Sequence, residues 1–204
     1  HAFGETAELS GELRPVSIGA APAERGTYRT VSGTEAIAWG LVAGLKAAGL
    51  ERMVFAGYPI TPASPVLQVL TGLRAHGVVT FQAEDEIAAI CAAIGASFAG
   101  SLGVTSSSGP GIALKTEAMG LAIATELPLI IVDSQRAGPS TGLPTKTEQS
   151  DLFQAVLGRN GDAPLAVISA STPSDCFDVA IEAVRLATKY MTPVFLLTDG
   201  YLAN

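Results

Sequence analysis

Residues 102–136, LGVTSSSGPGIALKTEAMGLAIATELPLIIVDSQR, decide the fold. A short apolar run at 102–106 ends in Ser106-Ser107-Ser108-Gly109-Pro110-Gly111. A helical stretch follows over 111–125, and a second short run at 128–133 ends in Asp133-Ser134-Gln135-Arg136. Short strands alternating with helices of period 3.6 are the sequence mark of a parallel sheet, because the helix carries the chain back to the end from which the next strand must start.

Outward from this unit the alternation holds from Ser32 to the end of the chain. Helices are expected near 34–48, 64–75, 85–99, 111–125, 148–157 and 174–190, and strands near 52–56, 78–82, 102–106, 128–133, 165–169 and 193–198. Ser32 or Gly33 offers a cap for the first helix, Ser64-Pro65 for the second, and Thr172-Pro173-Ser174-Asp175 for the last. The fold class is α/β: a doubly wound, mainly parallel six-stranded sheet with helices on both faces, close-packed through many of the 22 glycines and the alanines. Residues 1–30, with Gly11-Glu12-Leu13-Arg14-Pro15 and Ala20-Ala21-Pro22-Ala23, lack amphipathic period and read as a linker or the tail of a preceding domain; 31–204 form the domain. A start at His1 reads as a piece of a longer polypeptide.

With 48% apolar and 15% charged residues in 204, the chain can bury a core of ordinary domain size. A net charge of −7 without clustered Lys or Arg argues against a nucleic-acid partner, since phosphates are bound by such clusters. No membrane span is expected, because Glu126 interrupts the longest apolar stretch, 119–132, well short of the roughly 18 to 20 residues needed. Cys91 and Cys176 make no CxxC pair, so the chain's own cysteines assemble neither a zinc site nor an iron–sulfur cluster. Both are expected to be buried thiols in a reducing cytoplasm.

In doubly wound sheets ligands sit at the carboxyl ends of the strands. Four loops expected there carry hydroxyls, carboxylates, free backbone N–H groups and a guanidinium: Tyr58-Pro59-Ile60-Thr61-Pro62-Ala63-Ser64, Gln82-Ala83-Glu84-Asp85-Glu86, Ser106 to Gly111, and Asp133 to Arg136. Singly, each has an ordinary explanation. The prolines around Thr61 stiffen a turn, the acidic cluster at 84–86 caps a helix and answers its dipole, Ser-Gly-Pro-Gly is a turn, and Arg136 forms a surface ion pair of little value. Glu86 stands apart, because the ten residues after it, Ile87 to Ala96, are wholly uncharged. A helix of that composition is expected to be buried on most sides, and a carboxylate at its mouth is costly unless a ligand or a partner answers it.

Five segments in order, YPITPAS (58–64), AEDEIAAICAAIGAS (83–97), TSSSGPG (105–111), QRAGPSTGLPTKTEQSDL (135–152) and RLATKYMTPVFLLTDGYLAN (185–204), resemble the α subunit of 2-oxoacid:ferredoxin oxidoreductases. The resemblance runs from about Gly33 to the end. It implies a thiamine diphosphate enzyme whose cofactor is shared between two domains, this chain being the side that holds the pyrimidine ring. The GDG followed by NN that marks the diphosphate side is missing, and Asn160-Gly161-Asp162 does not replace it. Magnesium and the iron–sulfur cluster are therefore expected on a partner β subunit, with no metal ligand in this chain.

Carried over by position, Glu86 corresponds to the glutamate that hydrogen-bonds the pyrimidine ring and promotes its imino tautomer. Tyr58, Pro59, Ile60, Ser107, Ser108 and Gly109 fall in the segments that line the cofactor. Thr61 and Arg136 correspond to positions that hold the 2-oxoacid carboxylate, one by a hydroxyl and one by a planar fork. The implied reaction converts a 2-oxoacid and coenzyme A into acyl-CoA and CO2, with electrons passing to ferredoxin. The stretch from Arg136 to Lys146 resembles the 2-oxoglutarate branch, and Lys146 could meet a second carboxylate; pyruvate and branched-chain or aryl 2-oxoacids are the alternatives. Ala63 stands where many relatives have Ser, which removes one hydroxyl contact. Two other readings are a different thiamine-dependent carboligase or decarboxylase subunit, whose pyrimidine-side loop TSSSGPG also resembles, and a non-catalytic anion-binding module built on Ser106 to Gly111. A nucleotide site lacks both GxGxxG after the first strand and GxxxxGK[ST]. A serine hydrolase lacks a GxSxG elbow, and only His1 and His76 could serve it as base.

Overall fold

A computed structural model of the chain describes residues 24–203. The chain divides into two compact units, His1–Thr30 and Val31–Asn204. Most of the segment expected to be a linker or tail lies outside the described residues, and every helix and strand described below belongs to the second unit.

In chain order the elements are α1 (Gly33–Ala47), β1 (Met53–Gly57), α2 (Ser64–Thr71), a 3-10 turn (Arg74–His76), β2 (Val78–Gln82), α3 (Glu86–Phe98), β3 (Leu102–Ser107), α4 (Gly109–Ala124), β4 (Leu129–Gln135), α5 (Leu152–Leu157), β5 (Ala166–Ser169), α6 (Asp175–Tyr190), β6 (Pro193–Asp199) and α7 (Gly200–Ala203). Six strands form one sheet in the order β2-β1-β3-β4-β6-β5, and every pairing is parallel. Sequence-neighbouring elements thus wind outward in both directions from β1 and β3, the doubly wound α/β arrangement expected from the alternation.

Two apolar layers follow from the period of two along each strand. Ile130, Val132, Val194 and Leu196 face a layer with α1, α2 and α6, whereas Leu129, Ile131, Phe195 and Leu197 face the opposite layer with α3, α4 and α5. Helix α1 packs closely on α6 because Gly40 and Gly44 carry no side chain: a Cβ at Gly40 would lie 2.8 Å from Ala180 Cβ, and one at Gly44 2.9 Å from Val184 Cβ.

The helix starts differ in detail from the sequence reading. Ser32 caps α1 in a capping box with Glu35, and the α6 start uses the Thr172 hydroxyl, which accepts from Asp175 N at 3.1 Å. Helix α2 has Ala63 at its N-cap; the Ser64 hydroxyl instead accepts from Ile60 N and donates to Ile60 O, tying the preceding loop into a turn. Helix α5 is shorter than the 148–157 expected, because residues 146–151 run as an irregular strap before it.

Two expectations of burial are corrected. Helix α3 buries only one side, through Glu86, Ala89, Ile90, Ala93, Ile94 and Ser97, and leaves Ile87, Cys91 and Phe98 exposed. Cys91 is therefore an exposed thiol and only Cys176 is buried. The absence of charge does not enclose this helix, because the side facing away from the sheet is apolar as well.

Candidate functional site

Side chains that follow the core residues on the same strand faces become polar at the carboxyl edge of the sheet. On β3 the alternation places Thr105 and Ser107 on the α4 side, and on β4 it places Asp133 and Gln135 there. All four are buried. Lys115, one turn into α4 from Gly111, is wholly buried with them and donates to Thr105 Oγ1 at 2.7 Å and to Ser106 O at 3.4 Å.

Glu86 opens α3 immediately after its N-cap, Asp85, whose own carboxylate accepts from Ala88 N at 2.7 Å. The Glu86 side chain is 9% exposed and lies across the first turn of α4. A Cβ at Gly111 would come 2.8 Å from Glu86 Cγ and 2.9 Å from Glu86 Oε1, and would collide with Ser107 Oγ. Gly109 is crowded by Asp151 in the same way, with the carboxylate oxygens 2.7 and 2.8 Å from a notional Cβ. The glycines of Ser-Gly-Pro-Gly thus make room for two of the chain's own carboxylates at a helix N-terminus, where negative charge is favoured.

Two carboxyl groups, Asp133 and Asp151, are neighbours beneath this turn, and neither Asp133 oxygen has a hydrogen-bond donor. Asp133 is fully buried and is pushed well above the usual carboxylate range, by burial first and by the neighbouring Asp151 second. Ionised carboxylates only accept, so one of the two neighbours favours a proton, and the more deeply buried Asp133 is the one that keeps it. Asp151 is also raised, chiefly by burial, and its backbone N–H donates to Gln135 Oε1 at 3.0 Å. The Lys115 ammonium is pulled down to about 8 by burial, against the opposing pull of Glu86 and then Asp133.

A second group forms on the other side of the α4 start. Arg136 is 6% exposed and donates from Nη1 to Thr61 O at 2.8 Å and from Nη2 to Thr141 O at 2.6 Å, with Nε left without a partner. The structure therefore brings Arg136 and Thr61 together, but through the Thr61 carbonyl, with the Thr61 residue itself exposed. Tyr58 and Pro59 are exposed and Ile60 half-buried at the end of β1, where the Ser64 turn holds them. Ser107 and Ser108 are fully enclosed, and neither hydroxyl has a hydrogen-bond partner.

Two hollows adjoin these residues. One of about 340 Å³ is lined by Thr61, Pro62, Gln68, Lys146 and Thr147, and one of about 210 Å³ by Gly109, Arg136, Ser150, Asp151 and Gln154. The Arg136–Thr61 bond stands between them. Among the described residues no group of three or more His, Cys, Asp or Glu side chains is arranged to hold a metal ion.

Beside Glu86, Thr61, Arg136 and the serine loop, the structure brings in Lys115 and Asp151, which the sequence does not single out. Lys115 carried a signal, since a single cation stood on the apolar side of α4 with Ile112, Ala118 and Met119. Asp151 carried none, because it sits in a polar run indistinguishable from a solvated loop.

Residues 44–204 match the family described as pyruvate flavodoxin/ferredoxin oxidoreductase, thiamine diphosphate-binding. The chain is 55% identical over 202 residues to the 2-oxoglutarate oxidoreductase subunit KorA of Mycobacterium tuberculosis, covering 99% of this chain and 30% of that protein. It is 46% identical over 151 residues to the 2-oxoglutarate synthase subunit KorA of Archaeoglobus fulgidus, covering 74% and 44%. Its fold matches a solved 2-oxoglutarate:ferredoxin oxidoreductase from Magnetococcus marinus, which has 2-oxoglutarate, coenzyme A and succinyl-CoA bound, with a TM-score of 0.79 and 41% identity over 99% of this chain and 35% of that one. The chain thus spans less than half the length of each of these relatives. With the family matched across most of the chain and the carboxyl-edge site lying within the match, the chain belongs to the pyruvate flavodoxin/ferredoxin oxidoreductase family, as its thiamine-diphosphate-binding domain.

Proposed function

We propose that residues 31–204 form the pyrimidine-binding domain of the α subunit of a 2-oxoacid:ferredoxin oxidoreductase, with residues 1–30 as a linker or the tail of a preceding domain. The reaction proposed is 2-oxoacid plus coenzyme A plus two oxidised ferredoxins to acyl-CoA, CO2, a proton and two reduced ferredoxins. The observation that carries the reading is the Glu86 carboxylate at the mouth of α3, buried and laid over the bare backbone of Gly111.

The residues present fit thiamine diphosphate. Glu86 offers a carboxylate for a ring nitrogen, Tyr58, Pro59 and Ile60 an apolar wall, and Ser107, Ser108 and Gly109 the floor, where two enclosed hydroxyls lack partners. When bound, the cofactor supplies the carbanion chemistry that cleaves the bond to the 2-oxoacid carboxylate. Glu86 holds and exchanges a proton at the ring nitrogen. Arg136 keeps the unused protons of its terminal nitrogens for the substrate carboxylate, while its bonds to Thr61 O and Thr141 O fix the plane of the fork. Thr61 offers an exposed hydroxyl on the same side.

For the substrate we favour 2-oxoglutarate. Lys146 lines the hollow that begins at Thr61, a place where an ammonium would meet the distal carboxylate of a dicarboxylic 2-oxoacid. Exposed Ile87, Phe98, Leu114, Leu121, Phe153 and Leu157 leave large apolar side chains on the outward sides of α3, α4 and α5, as expected of surfaces that a partner covers. That partner would be a β subunit bringing magnesium, the diphosphate site and the iron–sulfur cluster. The setting proposed is the cytoplasm, in keeping with two free thiols; none of the described helices is long and apolar enough to cross a membrane. The anion-module reading finds no vacancy at the α4 N-terminus, because Asp151 and Glu86 already lie against it.

The test is to purify the full-length subunit with its partner and measure reduction of a ferredoxin or viologen with coenzyme A against a panel of 2-oxoacids. Turnover highest with 2-oxoglutarate supports the reading in full. Turnover highest with pyruvate would remove the substrate assignment, and none with any 2-oxoacid would remove the activity.

A further inference from the structure

Lys115 is a buried cation that the proposed chemistry does not use. It lies four residues after Gly111, so the two share one side of α4, and long helical side chains lean toward the N-terminal end. Its ammonium accordingly reaches back toward the helix start, to Thr105 Oγ1 and Ser106 O. Directly above that glycine lies Glu86 Oε1. An enclosed ammonium costs the fold free energy that an apolar side chain of similar length would not. Two bonds to neutral oxygens leave part of that cost unanswered, and an ammonium has three protons to give.

Two acidic groups act on the Lys115 ammonium, Glu86 more strongly and Asp133 less, while on the Glu86 helix Asp85 turns its carboxylate to Ala88 N. Burial and then the neighbouring Asp151 push Asp133 well above the usual carboxylate range, so that pair carries less negative charge than two carboxylates would. Glu86 is the anion left for the lysine to answer.

We infer that Lys115 is a positioning residue for Glu86: from the same side of α4 as Gly111 its ammonium supplies the counter-charge that fixes the Glu86 carboxylate where the cofactor ring meets it. The inference rests on the proposed role of Glu86. It makes α4 a lever of the site, with Gly111 leaving room for the carboxylate and Thr105 setting the height of the ammonium.

The assembled enzyme, full-length subunit with its partner, is compared as wild type, Lys115→Arg and Lys115→Met between pH 6 and 10. Lys115 is protonated below about 8 and loses its charge above it. Wild-type kcat should therefore fall as pH rises through that value, Lys115→Arg should show no fall there, and Lys115→Met should lose about tenfold below it, the equivalent of one pKa unit, and converge on the wild type above it. The KM for the 2-oxoacid should stay within about twofold in both variants, since neither touches Arg136.

A second readout needs no cofactor. Lys115 falls from an ordinary 10.5 to about 8 in the fold, so the unfolded chain binds more protons between those values and the folded full-length chain should gain thermal stability as pH rises through them. Lys115→Met should lack that gain. Glu86→Gln should start it at lower pH, because the carboxylate that favours the ammonium is gone.

Wild-type kcat and pH profile in Lys115→Met would overturn the inference even if the variant were less stable, since a merely structural lysine does the same. Should that variant fail to fold, a Lys115→Arg profile that still falls near pH 8, or a stability curve unmoved by Glu86→Gln, overturns it instead. Full turnover in Glu86→Gln would sink the role proposed for Glu86, while the stability curve of that variant still decides whether the two side chains are coupled.

Discussion

Gly111→Ala isolates the contact on which the site geometry rests. The added Cβ would collide with Ser107 Oγ and sit 2.8 Å from Glu86 Cγ and 2.9 Å from Glu86 Oε1. Both obstacles are side-chain atoms that can turn away, so the clash falls in the usual overpacking range of about 1–3 kcal/mol. Replacing glycine inside a helix returns about 1 kcal/mol, leaving a net loss of about 0–2 kcal/mol that a domain of this size survives. Activity should suffer far more. Turning Glu86 aside by about 1 Å costs on the order of a hundredfold in a reaction that depends on its placement. Gly95→Ala on α3 is the control: nothing lies within 4 Å of its notional Cβ, so it should stabilise slightly and leave turnover unchanged. Urea midpoints of the full-length chain and turnover of the assembled enzyme separate the two effects. Normal turnover in a folded Gly111→Ala enzyme, or a loss of turnover only in proportion to unfolding, would refute the packing of Glu86 on α4.

Arg136→Lys should raise the KM for the 2-oxoacid by about 10- to 150-fold, corresponding to about 1.5–3 kcal/mol for a charged hydrogen bond, and leave that for coenzyme A little changed; equal effects on both substrates would make Arg136 a structural tie between Thr61 and Thr141. Asp133→Asn should raise stability at neutral pH. Folding raises the Asp133 pKa above its ordinary 3.8, so its contribution is fully present below that value and is lost as pH rises. The amide does not titrate, so its advantage over wild type should grow from acid to neutral pH in thermal unfolding, and a constant offset would refute the raised Asp133 pKa.

The strands and the loops that follow them were legible because β-branched and apolar runs alternate with helical periods on a fixed scale, and parallel sheets put all the following loops on one edge. Glu86 was legible from contrast, a carboxylate ahead of ten uncharged residues. The exposure of Ile87, Cys91 and Phe98 was not, since periodicity cannot tell an apolar side turned to the sheet from one turned to a partner. The Asp133–Asp151 pair joins residues from a strand end and a distant strap, a proximity fixed only by tertiary packing. Arg136 illustrates the same limit. Its place at the end of a strand follows from the alternation, but its use of two backbone carbonyls depends on how the 137–146 loop folds back on Ala137.

The central claim is that Glu86 moves the proton that activates the cofactor, and exchange of the C2 proton of thiamine diphosphate in the assembled enzyme tests it without the later steps. Glu86→Gln keeps the length and hydrogen-bonding capacity of the side chain but cannot exchange a proton, so C2 exchange should fall by about a hundredfold or more while the fold remains intact. Asp85→Asn and Glu84→Gln are the comparisons: Asp85 is committed to Ala88 N and Glu84 is exposed, so neither should lose more than a small fraction of the rate. Wild-type C2 exchange in Glu86→Gln, or a larger loss in Glu84→Gln, would contradict the account.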